Sequence, residues 1–344
     1  MCRKLATLVL LNGTNAKEKR MNTVQPVFVI GSARSGTTMI DKLLTSAESF
    51  HEYRAETLLM SVCRKKYGDI FSNKDKQNIF LEDWFRSRQF ARSNLTKTEF
   101  KALVDTCSSY AELLVVFLEA MAEKNGKGYI VDSTPANLEH AEEIAAQCLY
   151  AKFIWVIRDG RDVSLSQEKL GWVNPPTPFT SKEDRLNYLL INWKLTNKKN
   201  LKNLGNNLFI LKYEEFLAKP ETLISNLADF LDAKDQNFDL DRTLNAGHSN
   251  SAFGKLGNSK NKSARNRWLA MDKNQLANFT YGCTDELSQF GYKKNSPTIS
   301  FKSIIRYYYF LMHIKLKKIL LKVHLFSRFT TNMLEDDPSF REKK

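Results

Sequence analysis

The sequence contains no apolar run near the roughly 18 residues that a membrane-spanning helix needs, so no segment reads as a transmembrane span. Cysteine offers no framework either. Cys2, Cys63, Cys107, Cys148 and Cys283 show no paired spacing, and their odd count fits reduced thiols in a cytoplasmic setting better than a disulfide scaffold. Acid is in short supply: 38 Asp and Glu stand against 52 Lys and Arg, a formal charge of +14. That balance favours anionic partners such as nucleotides, charged sugars or anionic lipid. The Lys and Arg are scattered, and no nucleic-acid reader motif accompanies them, so nucleic acid is not an expected partner. A short apolar stretch, Leu5 to Leu11, has no small-residue cleavage site before Lys17-Glu18-Lys19-Arg20. Residues 1–22 therefore read as a disordered leader, with Met21 as an alternative start.

What the chain does contain is enough apolar residue, 42% of 344, for a large core. It also contains one informative turn. Val27 to Ile30 is an apolar strand, Gly31-Ser32-Ala33-Arg34-Ser35-Gly36 a Gly/Ser-rich loop, and Thr37 to about Ser46 a helix with Met39, Ile40, Leu43 and Leu44 at core spacing. In this layout the N–H groups of a helix start converge on an anion. Gly31 and Gly36 have the spacing of a phosphate-binding P-loop, but Thr37 stands where that motif has Lys. The cation is Arg34, inside the loop. Thr38 keeps the hydroxyl that holds magnesium in nucleoside-triphosphate sites, so a nucleotide-kinase reading stays open.

Beyond that loop, strands and helices alternate. Tyr110 to Lys124 reads as a helix, and Tyr129 to Val131 as a strand. Asn137 is read as the cap of a helix reaching Gln147. Lys152 to Ile157 is a fully apolar strand of the kind buried on both faces of a parallel sheet. It ends in Arg158-Asp159-Gly160-Arg161-Asp162, where another helix starts. Asp159, Arg161 and Asp162 read as a structural ion-pair network. The Pro-rich stretch Leu170 to Ser181 is read as a mobile lid, and Glu183 to Leu204 as one long helix. Leu208 to Leu211 is a strand, Pro220 restarts a helix, Asn245 to Trp268 is a loop, and Asp272 to Gln289 a closing helix. The pattern implies an α/β fold, a parallel sheet flanked by helices in three layers, with ligands beyond the strand C-termini.

The remaining segment is basic. Phe301 to Arg328 carries Lys302, Arg306, Lys315, Lys317, Lys318, Lys322 and Arg328 and no acid. As a helix it aligns Met312, Leu316, Ile319 and Val323 beside Lys315, Lys318 and Lys322. Two readings stand: it lies on an anionic membrane surface, or it packs on the domain and solvates its lysines. The expected division is a leader over 1–22, a domain over 23–296 and a basic helical extension over 297–344.

The two loops together resemble those of sulfotransferases that depend on 3′-phosphoadenosine-5′-phosphosulfate (PAPS). Gly31 to Thr38 resembles that family's 5′-phosphosulfate loop, and Phe153 to Ser166 its 3′-phosphate motif, in which Arg158 is followed eight residues later by Ser166. The resemblance runs from about Val24 to Tyr292 and implies the P-loop-NTPase-like sulfotransferase fold. It implies PAPS as co-substrate, no metal, and transfer of a sulfuryl group to a hydroxyl or amine of a carbohydrate or lipid-linked acceptor. On this resemblance Arg34, Ser35, Gly36, Thr37 and Thr38 hold the 5′ end, and Arg158 and Ser166 the 3′-phosphate. Tyr213, Ser263 and Arg267 lie in segments that contact the nucleotide in related enzymes. Glu56-Thr57 resembles a catalytic Glu-Thr pair, which makes Glu56 the first choice of general base, ahead of His51 and then Asp132. The sequence departs from many relatives at Ser133, where they have a Lys; Lys42 or a cation of the late loop is the expected substitute. A relative that binds nucleotide without catalysis is the further alternative.

Overall fold

The computed structural model describes residues 24–171, 175–245, 265–295 and 300–322. The expected leader, Ser263, Val323 and Arg328 lie outside these residues.

Five parallel strands make one sheet in the order β2-β3-β1-β4-β5: β1 (Gln25–Gly31), β2 (Phe50–Glu52), β3 (Tyr129–Asp132), β4 (Lys152–Ile157) and β5 (Leu208–Lys212). The central strands show why the sequence lacks alternation there. Val27 and Val29 of β1, with Ile154 and Val156 of β4, enter a core beneath α1 (Thr37–Leu44). Phe28, Ile30, Phe153, Trp155 and Ile157 enter the core on the opposite face, where the rings of Phe28 and Phe153 stack at 5.2 Å. Both faces are dry, so both sets of side chains are apolar. The expected three-layer α/β architecture is the one observed.

Between β2 and β3 the chain makes α2 (Arg64–Tyr67), α3 (Lys74–Phe85), α4 (Arg88–Ala91), α5 (Lys97–Thr106) and α6 (Tyr110–Lys124). These build an aromatic-rich cap in which Trp84 stacks on Phe100 at 5.2 Å and Phe117 meets Phe100 edge-on. After β3 comes α7 (Ala141–Gln147), after β4 comes α8 (Gly160–Glu168), and then α9 (Lys182–Asn197). α10 (Tyr213–Ala218), α11 (Pro220–Phe230) and α12 (Leu240–Asn245) follow β5. A third core joins α8 and α9 to α13 (Lys273–Thr280), α14 (Thr284–Gln289) and α15 (Phe301–Lys322).

Several expectations are corrected. β2 was not legible as a strand, because three residues carry no period and pairing with β3 creates it. Asn137 caps nothing. It sits in a 3₁₀ turn, Pro135–His140, and its amide donates to Asp132 at 2.8 Å. The long helix stops at Asn197, whose side chain turns back to the Trp193 carbonyl and across to Ser32. The closing helix is broken into α13 and α14 at Gly282, which has φ 76° and lies so close to Tyr307 that a Cβ would fall 2.2 Å from its ring. The described part of the expected lid is anchored, for Phe179 packs on Phe310 and the Tyr309 hydroxyl donates to the Thr177 carbonyl at 3.0 Å. Cys63, Cys107, Cys148 and Cys283 are buried thiols outside any disulfide.

Candidate active site

The site begins where β1 ends. Gly31 passes so close to β4 that a Cβ would stand 2.5 Å from the Val156 carbonyl oxygen. Arg34 takes a left-handed conformation at φ 75°, which reverses the chain, and α1 starts three residues on. Gly36 is required twice over: its φ is 107°, and a Cβ would lie 2.6 Å from the Tyr213 ring. No side chain caps α1, and no acid occupies its first turn. Its leading N–H groups are therefore left for a ligand or water. The Ser35 hydroxyl is buried and has no hydrogen-bond partner among the described residues.

Four side chains hold this loop from outside. Asn197 donates to the Ser32 hydroxyl at 2.8 Å and Gln167 to the Ala33 carbonyl at 2.8 Å. Arg158 donates to the Arg34 carbonyl at 3.0 Å, and the Arg34 Nε donates to the Ser166 hydroxyl at 3.2 Å. Neither Gln167 nor Asn197 was found from the sequence. Gln167 adjoins Ser166 and was within reach of a closer reading, whereas Asn197 stands 165 residues from Ser32 and carried no signal.

Arg158 leaves the end of β4 and lies over the Tyr213 ring, 4.4 Å from its centre. Next to it α8 begins with an interior ion pair, Arg161 to Asp159 at 2.6 Å, and the Arg161 guanidinium covers the Trp268 ring at 3.6 Å. Asp159 and Arg161 thus form the expected structural network. Asp162 does something more specific. Its carboxylate accepts the backbone N–H groups of Asn266 (2.7 Å) and Arg267 (3.0 Å), and its own carbonyl accepts the Arg267 guanidinium at 2.8 Å. That clasp brings the late segment to the loop. Glu214, beside Tyr213, links the Asp159 N–H at 3.0 Å to the Tyr292 hydroxyl at 2.9 Å.

Three guanidinium groups therefore converge from three distant segments. Partial burial, then Arg158 and Arg267, depress the pKa of Arg34; burial, then Arg158, depresses that of Arg267. Arginine does not lose its proton in a protein, so these depressions register charges that are partly buried and crowded together, a cost that an anion offsets.

Arg34, Ser35, Gly36, Arg158, Ser166, Tyr213 and Arg267 are thus brought together, with Thr37 and Thr38 opening α1 beside them. Glu56 is exposed, immediately before a fully buried Thr57. Thr57 is fastened to the end of β3: its hydroxyl donates to Asp132 at 2.9 Å and its N–H to the Thr134 hydroxyl at 2.9 Å. Asp132 also accepts from the Thr134 N–H and hydroxyl and from Asn137, so it is the hub of this turn, fully enclosed. His51 is held elsewhere, half-buried in edge strand β2, with burial and then Lys127 lowering its pKa. Ser133, at the expected Lys position, lies near Asp41 of α1, whose pKa burial, followed by Glu52 and Asp132, raises to about 8. Lys42 is in the last turn of α1, at the end away from the loop. The described residues contain no cluster of His, Cys, Asp and Glu fit to hold a metal ion.

The family model described as "Sulfotransferase family" matches residues 26–237, which includes both loops but stops short of the Arg267 segment. No curated protein sequence matches. Among solved structures, the chain is similar to the sulfotransferase domain of the Synechococcus PCC 7002 olefin synthase, at 18% identity over 73% of this chain and 90% of that one, TM-score 0.43. It is similar to the sulfotransferase domain from the curacin biosynthetic pathway at 17% identity, covering 79% and 99%, TM-score 0.45. A Mycobacterium avium sulfotransferase, STF9, aligns at 15% identity over 81% and 80%, TM-score 0.40.

Proposed function

Because the chain belongs to the sulfotransferase family, we propose that it moves a sulfuryl group from PAPS to a hydroxyl or amine of a carbohydrate or lipid-linked acceptor. The observation that carries this reading is the convergence of Arg34, Arg158 and Arg267 around two turns tied by the Arg158 bond to the Arg34 carbonyl. One anion cluster would suit a nucleoside triphosphate. Two cationic sites on adjacent turns suit a nucleotide charged at both its 5′ and 3′ positions.

The residues fit such a co-substrate. The uncapped start of α1, the Ser35 hydroxyl and Arg34 offer donors to the 5′-phosphosulfate, and Thr37 and Thr38 add hydroxyls. Arg158, Ser166 and Arg267 serve the 3′-phosphate, and Tyr213 closes the wall behind Gly36. PAPS supplies the sulfuryl group, whose in-line transfer depends on positioning and electrostatics as phosphoryl transfer does. Arg34 balances the negative charge that grows on the leaving phosphate, an effect worth on the order of 3 kcal/mol for a well-placed donor. Glu56 takes the acceptor's proton, held at its post by the Thr57–Asp132 anchor.

Two measurements test the reading. Calorimetry should show adenosine 3′,5′-bisphosphate binding without magnesium, and labelled sulfate should pass from PAPS to a member of an acceptor panel. Heat with ATP and magnesium but none with the bisphosphate would overturn it.

A further inference from the structure

Helix α15 has two apolar faces, and among the described residues only one is packed. Phe310 and Ile314 are buried in the third core, and around them the helix is fastened to α9 and α13. Arg306 makes a buried ion pair with Asp184 at 3.0 Å, Ser303 donates to the Asn278 side chain at 2.6 Å, and Tyr188 shares a hydrogen bond with His313 at 3.2 Å. Arg306, one of the basic residues of this segment, is buried beside Asp184 and rivets the helix to the domain.

The opposite face is bare. Phe301, Ile305, Tyr308, Met312, Leu316 and Ile319 are each between 47% and 77% exposed. Their spacing of four, three, four, four and three places them within an arc of roughly 80° at 100° per residue, facing away from Phe310 and Ile314. Six large apolar side chains in one line are not the scattered singles of an ordinary surface. Lys302 and Lys315 are exposed on either side of the stripe, and Lys317 is exposed as well. Lys318 pairs with Glu139 at 2.9 Å. No acidic residue occurs in sequence between Glu286 and Glu335. No helix of the described residues is long and apolar enough to cross a membrane.

We propose that this face of α15 docks in the interfacial layer of an anionic lipid bilayer. A line of apolar side chains edged by cations matches acyl chains below an anionic headgroup layer, and it matches a protein partner's charged rim less well. The Lys318–Glu139 bridge sets the far end of α15 against the Pro135–His140 turn, which directly follows the β3 terminus carrying Asp132 and Ser133. The bridge ties this end of α15 to the segment that follows the candidate site, while the exposed stripe lies roughly 120° around the helix from Lys318. The docking stands apart from the catalytic reading, since it requires neither donor nor acceptor.

The test is co-sedimentation of the full chain with vesicles of phosphatidylcholine plus phosphatidylglycerol, against phosphatidylcholine alone. Binding is expected to the mixed vesicles and to fall as salt rises. The double variant Leu316→Asp, Ile319→Asp should lose about tenfold or more in partitioning, with an unchanged melting temperature because both sites are exposed. Lys302→Glu with Lys315→Glu should remove the preference for phosphatidylglycerol. Absent binding by the wild type, equal binding to both vesicle types, or undiminished binding by the Asp double variant would overturn the proposal. So would light scattering that shows a dimer which the same variant dissociates, because the face would then be a self-interface.

Discussion

Arg158 reaches from the end of β4 to donate to the main-chain carbonyl of Arg34, and Arg34 donates back to Ser166, so each of the two turns helps to shape the other. The cation of one turn thereby braces the backbone of the next, and neither is an independent site.

Substitution of these two arginines should separate binding from transfer. Arg158→Ala is expected to weaken adenosine bisphosphate binding roughly tenfold to a hundredfold, the range for a lost charge-assisted hydrogen bond. Arg34→Ala should cut turnover by about a hundredfold or more while leaving measurable bisphosphate affinity. Titration calorimetry alongside single-turnover transfer would check both. A lowered melting temperature with unchanged affinity in Arg158→Ala would assign it a structural role only.

Gly36→Ala should disable the loop. The new Cβ would stand 2.6 Å from the Tyr213 ring at a φ of 107°, so either the ring or the loop must move. A loss on the order of 1–3 kcal/mol in stability is expected, with bisphosphate binding weakened by at least about tenfold. Tyr213→Ala in the same chain should restore part of the stability by clearing the space, though not the strain.

Glu56→Gln should slow turnover about a hundredfold or more and leave bisphosphate affinity intact, as expected for a lost general base. Full turnover in that variant would move the role to another group, and Asp132→Asn then becomes informative. Because Asp132 anchors Thr57, its substitution should also lower thermal stability, which Glu56→Gln should not.

Asp41 makes folding sensitive to pH. Its folded pKa is raised to about 8, chiefly by burial, whereas an unfolded aspartate titrates near roughly 3.9. Between those values the folded chain holds a proton that the unfolded chain has released. Stability contributed by this group is therefore present at low pH and lost as pH rises through that window. Asp41→Asn should raise the melting temperature at pH 8 by several degrees or more and change it little at pH 4. An equal effect at both pH values would remove Asp41 as the cause.

The alternation of strands with helices, and the parallel sheet it implies, followed from local patterns, whereas the strand order came from the fold. Lys152 to Ile157 was readable because burial on both faces demands an unbroken apolar run, and its limits agree with β4. Both loops were readable for a similar reason: a turn that presents N–H groups and a guanidinium needs Gly, Ser and Arg at short, fixed spacing. β2 was hidden by its length, and the α13–α14 break by a glycine whose necessity appears only when Tyr307 is seen against it.

Composition and spacing by themselves determined that this chain folds as a parallel α/β domain with two cationic turns at strand ends. Those features arise between near neighbours, where backbone geometry leaves few choices. Tertiary structure alone decided that Asp162 carries Arg267 to Arg158, that Asn197 steadies Ser32, and which apolar stripe of α15 stays uncovered. Each of these depends on residues far apart in sequence meeting at one point, and local pattern holds no record of such meetings.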